Sequence, residues 1–273
     1  MFNRMSAVNL LTIFGGVLYI MMKLIVVDLD DTLLRTDKTI SDYTRGVLKA
    51  CRERGIKVIY ATARGESAKE IIPTDMVDGR VIMTGAIAYV GEKLVYHRSI
   101  EASTSRDFLV ACHDYGLEIV SESHEIHYSN FNVENRWKFI KNYKIVDFQS
   151  LNVNAEKIYT VIRDENDVDF INKHLPRDSY LAVNREKFAF IMHSEAKKMK
   201  AVVAIADYFG FKNEEIVAFG DDVLDMDILS QCGIGVAMEN AIDEVKAVAD
   251  EVCDSNDNDG VAKWLAKHLK LPS

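Results

Sequence analysis

The chain has 273 residues, 48% of them hydrophobic and 27% charged, enough apolar material for a true core in one large domain or two smaller ones. Its formal net charge of −9 repels phosphate backbones and argues against a nucleic-acid partner, and it obliges any site for a phosphorylated small molecule to supply local cations or a metal. Cys51, Cys112, Cys232 and Cys253 lack CxxC spacing, so they speak against structural zinc and read as reduced core thiols of a cytoplasmic protein.

Residues 10–22 are mostly apolar and follow Arg4. That run is short for a membrane span, which needs about 20 apolar residues, and it passes straight into what reads as a buried strand. Residues 1–21 are therefore expected to be an N-terminal extension, with Met21 or Met22 as the functional start. A membrane anchor is the disfavoured alternative. The aliphatic run 24–27 predicts a strand covered on both faces. A helix is expected over 41–54, with Ser41 as N-cap and Gly55 just beyond its end. Strands are expected at 56–61 and 80–83.

From about 87 to 191 the strands alternate apolar and polar residues, as in EKIYTVIR and KFAFIMHS, around helical stretches near 104–115 and 167–174. That pattern predicts an antiparallel α+β insert. The alternation of helix and aliphatic strand then resumes. Helices are expected at 197–209, 224–230, 241–248 and 261–268, and strands at 216–219 and 234–237. The whole predicts an α/β protein: a Rossmann-like, doubly wound parallel sheet over 22–84 and 194–273, carrying an inserted α+β domain at 85–193.

Ligands of open parallel sheets bind beyond the carboxyl ends of the strands, and the polar residues fall there. Asp28, Asp30 and Thr32 follow the first core strand, Thr62 follows the second, and Asp221, Asp222 and Asp225 follow the strand IVAF. Asp28 and Asp30 stand two apart on extended chain and point the same way. Carboxylates crowded together stay ionised only with a cation among them. An oxygen-only donor set favours a hard ion, and magnesium leaves positions open for a substrate phosphate. Lys198 is a candidate second cation. DxDxT alone is as readily a solvated or capping loop. An EF-hand is excluded because Leu33 and Thr39 occupy the positions that need Gly and Glu. Gly233 and Gly235 suggest a dinucleotide turn, but Met238 stands where a third glycine belongs. His124 and His127 have no acidic ligand set beside them in sequence.

DLDDTLL, ATAR, KKMKAVVAIADYFG and GDDVLDM, in that order, together with GVAMENAIDEVKAVADEVCDSNDNDGVAKWL, resemble the motifs of the haloacid dehalogenase superfamily, in its Cof-like branch with a large inserted (C2-type) cap. The resemblance runs from Met22 to the chain end. Leu224, Ala63 and Thr84 stand where that branch usually has Asn, Gly and Asn. It implies a magnesium-dependent phosphatase acting on a small phosphorylated metabolite through an aspartyl-phosphate. Asp28 would be the nucleophile and Asp30 the acid and base. Thr62 and Lys198 would hold the phosphoryl oxygens, with Arg64 as a further substrate contact or a brace for its loop. Mg2+ would sit on Asp28, Asp221 and the Asp30 carbonyl, supported by Asp225, and the cap would read the rest of the ester. The insert's own polar and aromatic residues His124, His127, Tyr128, Asn130 and Trp137 are candidates for that reading, with ordinary surface or small-domain core as the alternative for most of them. A phosphomutase using the same intermediate, and a phosphate-binding regulatory protein, are the alternatives.

Overall fold

The computed structural model describes residues 11–14, 17–20, 22–138 and 140–271. They form two units, Met1–Tyr96 with Lys198–Ser273, and His97–Lys197. Within the expected N-terminal extension, Leu11–Phe14 (β1) pairs antiparallel with Val17–Ile20 (β2). The rest of that segment, including Met21, lies outside the described residues. No helix among the described residues is long and apolar enough to cross a membrane.

The chain enters the core along Leu24–Val27 (β3), buried at all four positions. Asp42–Glu53 (α1) follows, and the Ser41 hydroxyl accepts the Thr44 N–H at 3.0 Å. It buries Thr44, Val47, Leu48 and Cys51, one stripe at helical spacing. Lys57–Ala61 (β4) and Gly79–Ile82 (β5) extend the sheet in parallel. Ile87–Val90 (β6) then turns back antiparallel on β5, and Lys93–His97 (β7) forms the edge.

The second unit contains Ala102–Asp114 (α2), Ile119–Ser123 (β8), Ile126–Ser129 (β9) and Tyr143–Ile145 (β10). Lys157–Val161 (β11), Glu165–His174 (α3), Ser179–Val183 (β12) and Phe188–His193 (β13) complete it. Its sheet runs β10-β9-β8-β11-β13-β12, antiparallel except at β10–β9. Phe108, Leu109 and Cys112 of α2, Ile171 of α3 and Ile158, Ala189 and Ile191 of the strands share one apolar core.

Lys198–Phe209 (α4) returns the chain to the first unit. Ile216–Gly220 (β14), Met226–Gln231 (α5), Ile234–Ala237 (β15), Asp243–Val248 (α6), Glu251–Val252 (β16) and Gly260–Leu269 (α7) close it. The core sheet reads β16-β15-β14-β3-β4-β5-β6-β7. Every pairing from β16 to β5 is parallel. The chain leaves β3 toward β4 and returns on its other side at β14, so β3 and β14 flank the point where strand order reverses.

Two boundaries need correcting. Residues 194–197, placed in the core by sequence, belong to the second unit, which ends at Lys197. Residues 85–96, placed in the insert by sequence, belong to the core unit through β6 and β7. β6 is half-buried and the edge strand β7 has no buried position, so neither reads as a continuous aliphatic core strand.

Candidate active site

The switch point gathers the charged residues. β3 ends at Val27 and delivers Asp28, whose backbone N–H donates to Phe219 O on β14 at 3.0 Å. β14 ends at Gly220 and delivers Asp221. Asp225 lies on the turn that leads into α5. Each of Asp28, Asp221 and Asp225 can bring one carboxylate oxygen within 4.8 Å of the other two, and all three are buried. Lys198, at the first position of α4 and only 2% exposed, donates to Asp28 Oδ1 at 2.7 Å and to Asp225 Oδ1 at 2.6 Å.

Burial alone would pull the Lys198 ammonium down, but Asp225 and Asp28 outweigh it and hold it well above its usual range. Burial pushes the Asp28 carboxyl well up; Lys198 pulls it back, while Asp225 and Asp221 add to the upward push. Two of the three carboxylates thus share one ammonium, and the third, Asp221, lies beside them. A divalent cation would offset the carboxylate charge that one ammonium leaves unbalanced, and the oxygen-only donors fit a hard one. Asp225 is the least suited to hold it directly. Its Oδ1 takes Lys198, and its Oδ2 accepts the N–H groups of Asp221 and Asp222 at 3.1 and 3.3 Å. It orients the lysine and the Asp221 turn.

Asp30 and Arg64 form a separate pair beside this cluster. The guanidinium donates from Nε to Asp30 Oδ2 at 2.6 Å and from Nη2 to Oδ1 at 2.7 Å, and Lys38 adds an ion pair at 2.9 Å. Burial works upward on Asp30, but these contacts prevail and hold it below the usual carboxylate range. Arg64, read from sequence as a substrate contact, is therefore placed on the acid/base candidate. Thr62 is buried where β4 ends, its hydroxyl accepting the Arg64 N–H at 3.2 Å.

Ala63 is not among the residues of positive φ, so its backbone carries no left-handed strain where glycine is usual. Thr84 stands at φ 56°, a conformation that Asn tolerates better than a β-branched residue, and its buried hydroxyl has no hydrogen-bond partner among the described residues. Asp222 turns its carboxylate onto the Val223 N–H at 2.6 Å and does not replace the amide absent at Leu224. In the second unit, Trp137 is packed among Phe131, Tyr159 and Phe188. His127 meets the Tyr159 hydroxyl at 3.0 Å, and Asn130 holds Leu117 O and Ile119 N. These side chains have structural duties inside their own unit. Thr32, noted in sequence only as a strand-end polar residue, donates to Asp221 Oδ1 at 2.8 Å. Two contributors escaped sequence reasoning: Lys38, paired with Asp30 at 2.9 Å, and Asp227, which accepts the Met199 N–H at 3.0 Å.

Comparison with known proteins bears on this geometry. The family model for haloacid dehalogenase-like hydrolases matches residues 25–265. The chain is 28% identical over 264 residues to a 5-amino-6-(5-phospho-D-ribitylamino)uracil phosphatase of Bacillus subtilis (strain 168), covering 91% of this chain and 98% of that one. A further phosphatase of that strain is 26% identical over 285 residues, with 91% and 100% covered. Among solved structures, a sugar phosphatase of HAD subclass IIB superposes with a TM-score of 0.81 at 26% identity, covering 92% of this chain and 100% of that one. A Bacteroides thetaiotaomicron phosphatase of the haloalkanoate superfamily shares the fold, with a TM-score of 0.81, 24% identity and 98% of each chain covered.

Proposed function

This chain belongs to the haloacid dehalogenase-like hydrolases and is a phosphatase, and from that premise we propose that it hydrolyses the phosphate monoester of a small polyhydroxylated metabolite through an aspartyl-phosphate on Asp28, with Mg2+ as cofactor. The observation that carries the reading is the placement of three buried carboxylates and one buried ammonium where β3 and β14 end. The substrate class is supported by the relatives, one acting on a phosphorylated ribityl chain and another on sugar phosphates.

Asp28, Asp221 and the Asp30 carbonyl would hold the cation, which supplies positive charge to the phosphoryl oxygens. Lys198 and the Thr62 hydroxyl bind further phosphoryl oxygens. An Asp28 carboxylate oxygen forms a bond to phosphorus as the ester P–O bond breaks, and Asp30 gives its proton to the departing alkoxide. Water then attacks phosphorus, Asp30 takes the proton back, and the Asp28 carboxylate is restored as phosphate leaves. Asp30 carries a proton in the first step only if its pair with Arg64 opens, and the dianionic ester is the competing anion for that guanidinium.

The test is phosphate release from sugar phosphates, ribityl-type phosphates and an aryl phosphate, before and after chelation. Activity should vanish on chelation and return with Mg2+. Asp28→Asn should lower kcat by at least about 10³-fold while the protein stays folded. Turnover that survives exhaustive chelation overturns the cation reading, and full activity in Asp28→Asn overturns the nucleophile.

A further inference from the structure

Asp31 is the strained residue of the loop after β3. It sits at φ 56° and ψ 12° between Asp30 and Thr32. A non-glycine residue in that region is strained and persists where its surroundings fix it. The fixing group comes from the far end of the chain. Asn240 Nδ2 donates to Asp31 O at 2.7 Å, and Asn240 Oδ1 accepts the Asn256 N–H at 3.0 Å. The backbone N–H leaves no choice of which amide atom faces which partner. Asn256, itself buried, donates from Nδ2 to Leu34 O at 3.0 Å. Two amides in series therefore clamp both ends of the turn 31–34. The same C-terminal stretch grips the second acidic loop, with Met238 N–H on Gly220 O and Ile242 N–H on Asp221 O.

The clamp bears on the acidic cluster through one peptide. Asn240 fixes the carbonyl of Asp31, and the next residue, Thr32, sends its hydroxyl to Asp221 Oδ1 at 2.8 Å. On the other side of Asp31 lies the Asp30 carbonyl, whose plane is set by the same left-handed turn. We infer that Asn240, seconded by Asn256, is a positioning residue for the divalent-cation site: it holds the Asp30 carbonyl and, through Thr32, the Asp221 carboxylate in the geometry that binds the ion. The inference rests on the cation reading above. Groups that orient metal ligands through such bonds are worth about 10- to 100-fold in affinity.

The experiment is a Mn2+ titration of the metal-free full-length protein, read by calorimetry and by electron paramagnetic resonance. Asn240→Asp keeps the acceptor for Asn256, removes the donor to Asp31 O and sets a carboxylate against it. Its Mn2+ Kd should rise about tenfold or more, while KM for an aryl phosphate at saturating Mn2+ stays within about twofold. Asn256→Asp should shift Kd in the same direction by less. Thr36→Ala, which removes an exposed hydroxyl contact to Asp257 on the same loop, should leave Kd unchanged. A folded Asn240→Asp with Kd within about twofold of wild type overturns the inference; should that variant not fold, the same result in Asn256→Asp does so. A raised KM with unchanged Kd overturns it as well, because Asn240 would then act on the ester. Wild-type protein that binds no Mn2+ overturns the cation reading itself, and that failure is told apart by appearing without any substitution.

Discussion

Gly220 closes β14 without a side chain because Asp225 fills the space where one would go. A Cβ built at Gly220 would land on the Asp225 side chain, which cannot retreat while it holds Lys198 and two backbone N–H groups. Gly220→Ala should therefore displace Asp225 and with it the ammonium. We expect kcat/KM to fall about 10²-fold with secondary structure intact by circular dichroism; near-normal turnover would mean that Asp225 can move freely. Thr84 makes the opposite case. Its left-handed backbone and orphaned hydroxyl are a local cost, and Asn is at ease at such φ. Thr84→Asn should stabilise the protein by about 1 kcal/mol, seen as a higher midpoint in urea; a lower midpoint would show that the threonine methyl is packed too well to lose. Asp28 and Asp221 stood out in sequence because each closes an aliphatic run, and Lys198 because it opens the helix that leads to the Asp221 strand. The Asn240 and Asn256 clamps were not, because their partners lie 209 and 222 residues away, beyond any local pattern.

At the scale of elements, α4 owes its register to a carboxylate from another helix. Asp227, in the first turn of α5, accepts the Met199 N–H at 3.0 Å and its own neighbour Ile228 N–H at 2.8 Å. It caps the N-terminal end of α4 from outside, and Lys198 is the residue beside that cap. Burial pushes the Asp227 carboxyl up, while those backbone N–H groups and Lys198 pull it back. Removing the cap in Asp227→Ala should cost about 1 kcal/mol of stability and, by loosening the Lys198 end of α4, about tenfold in kcat. Asp227→Asn keeps an acceptor and should recover most of both. If the alanine variant loses stability but keeps kcat, the cap serves the fold alone. The strands β3, β4, β14 and β15 and the helices around them were readable because burial on both faces leaves continuous aliphatic runs. The strands β6 and β7 at one end of the sheet were misassigned for the converse reason: half-exposed strands of one sheet look like those of another.

For the whole molecule, each unit carries its own core and one of the two tryptophans. Trp264 packs edge-on against Phe219 and stacks on His268 in the first unit, and Trp137 sits among aromatic rings in the second. The groups that respond to solution conditions are likewise divided. The candidate cation ligands Asp28 and Asp221 belong to the first unit, so Mg2+ should stabilise that unit by mass action, about 2.7 kcal/mol at 100 times Kd. His127 belongs to the second. Burial holds its imidazole below the usual histidine range; Glu122 opposes that and Lys157 adds to it. The sign follows from linkage. A histidine whose folded pKa is depressed contributes stability that is complete above its unfolded pKa of about 6.5, and loses it as pH falls through the lower folded value. Acidification below pH of about 6.5 should therefore lower the transition seen by Trp137, and His127→Gln should blunt that drop. With Trp137→Phe and Trp264→Phe as single-reporter variants, Mg2+ should raise mainly the Trp264 transition, and acid should lower mainly the Trp137 transition through His127. If both reporters move together under both treatments, the two units unfold as one cooperative body, and the division of responses drawn from their separate cores is wrong.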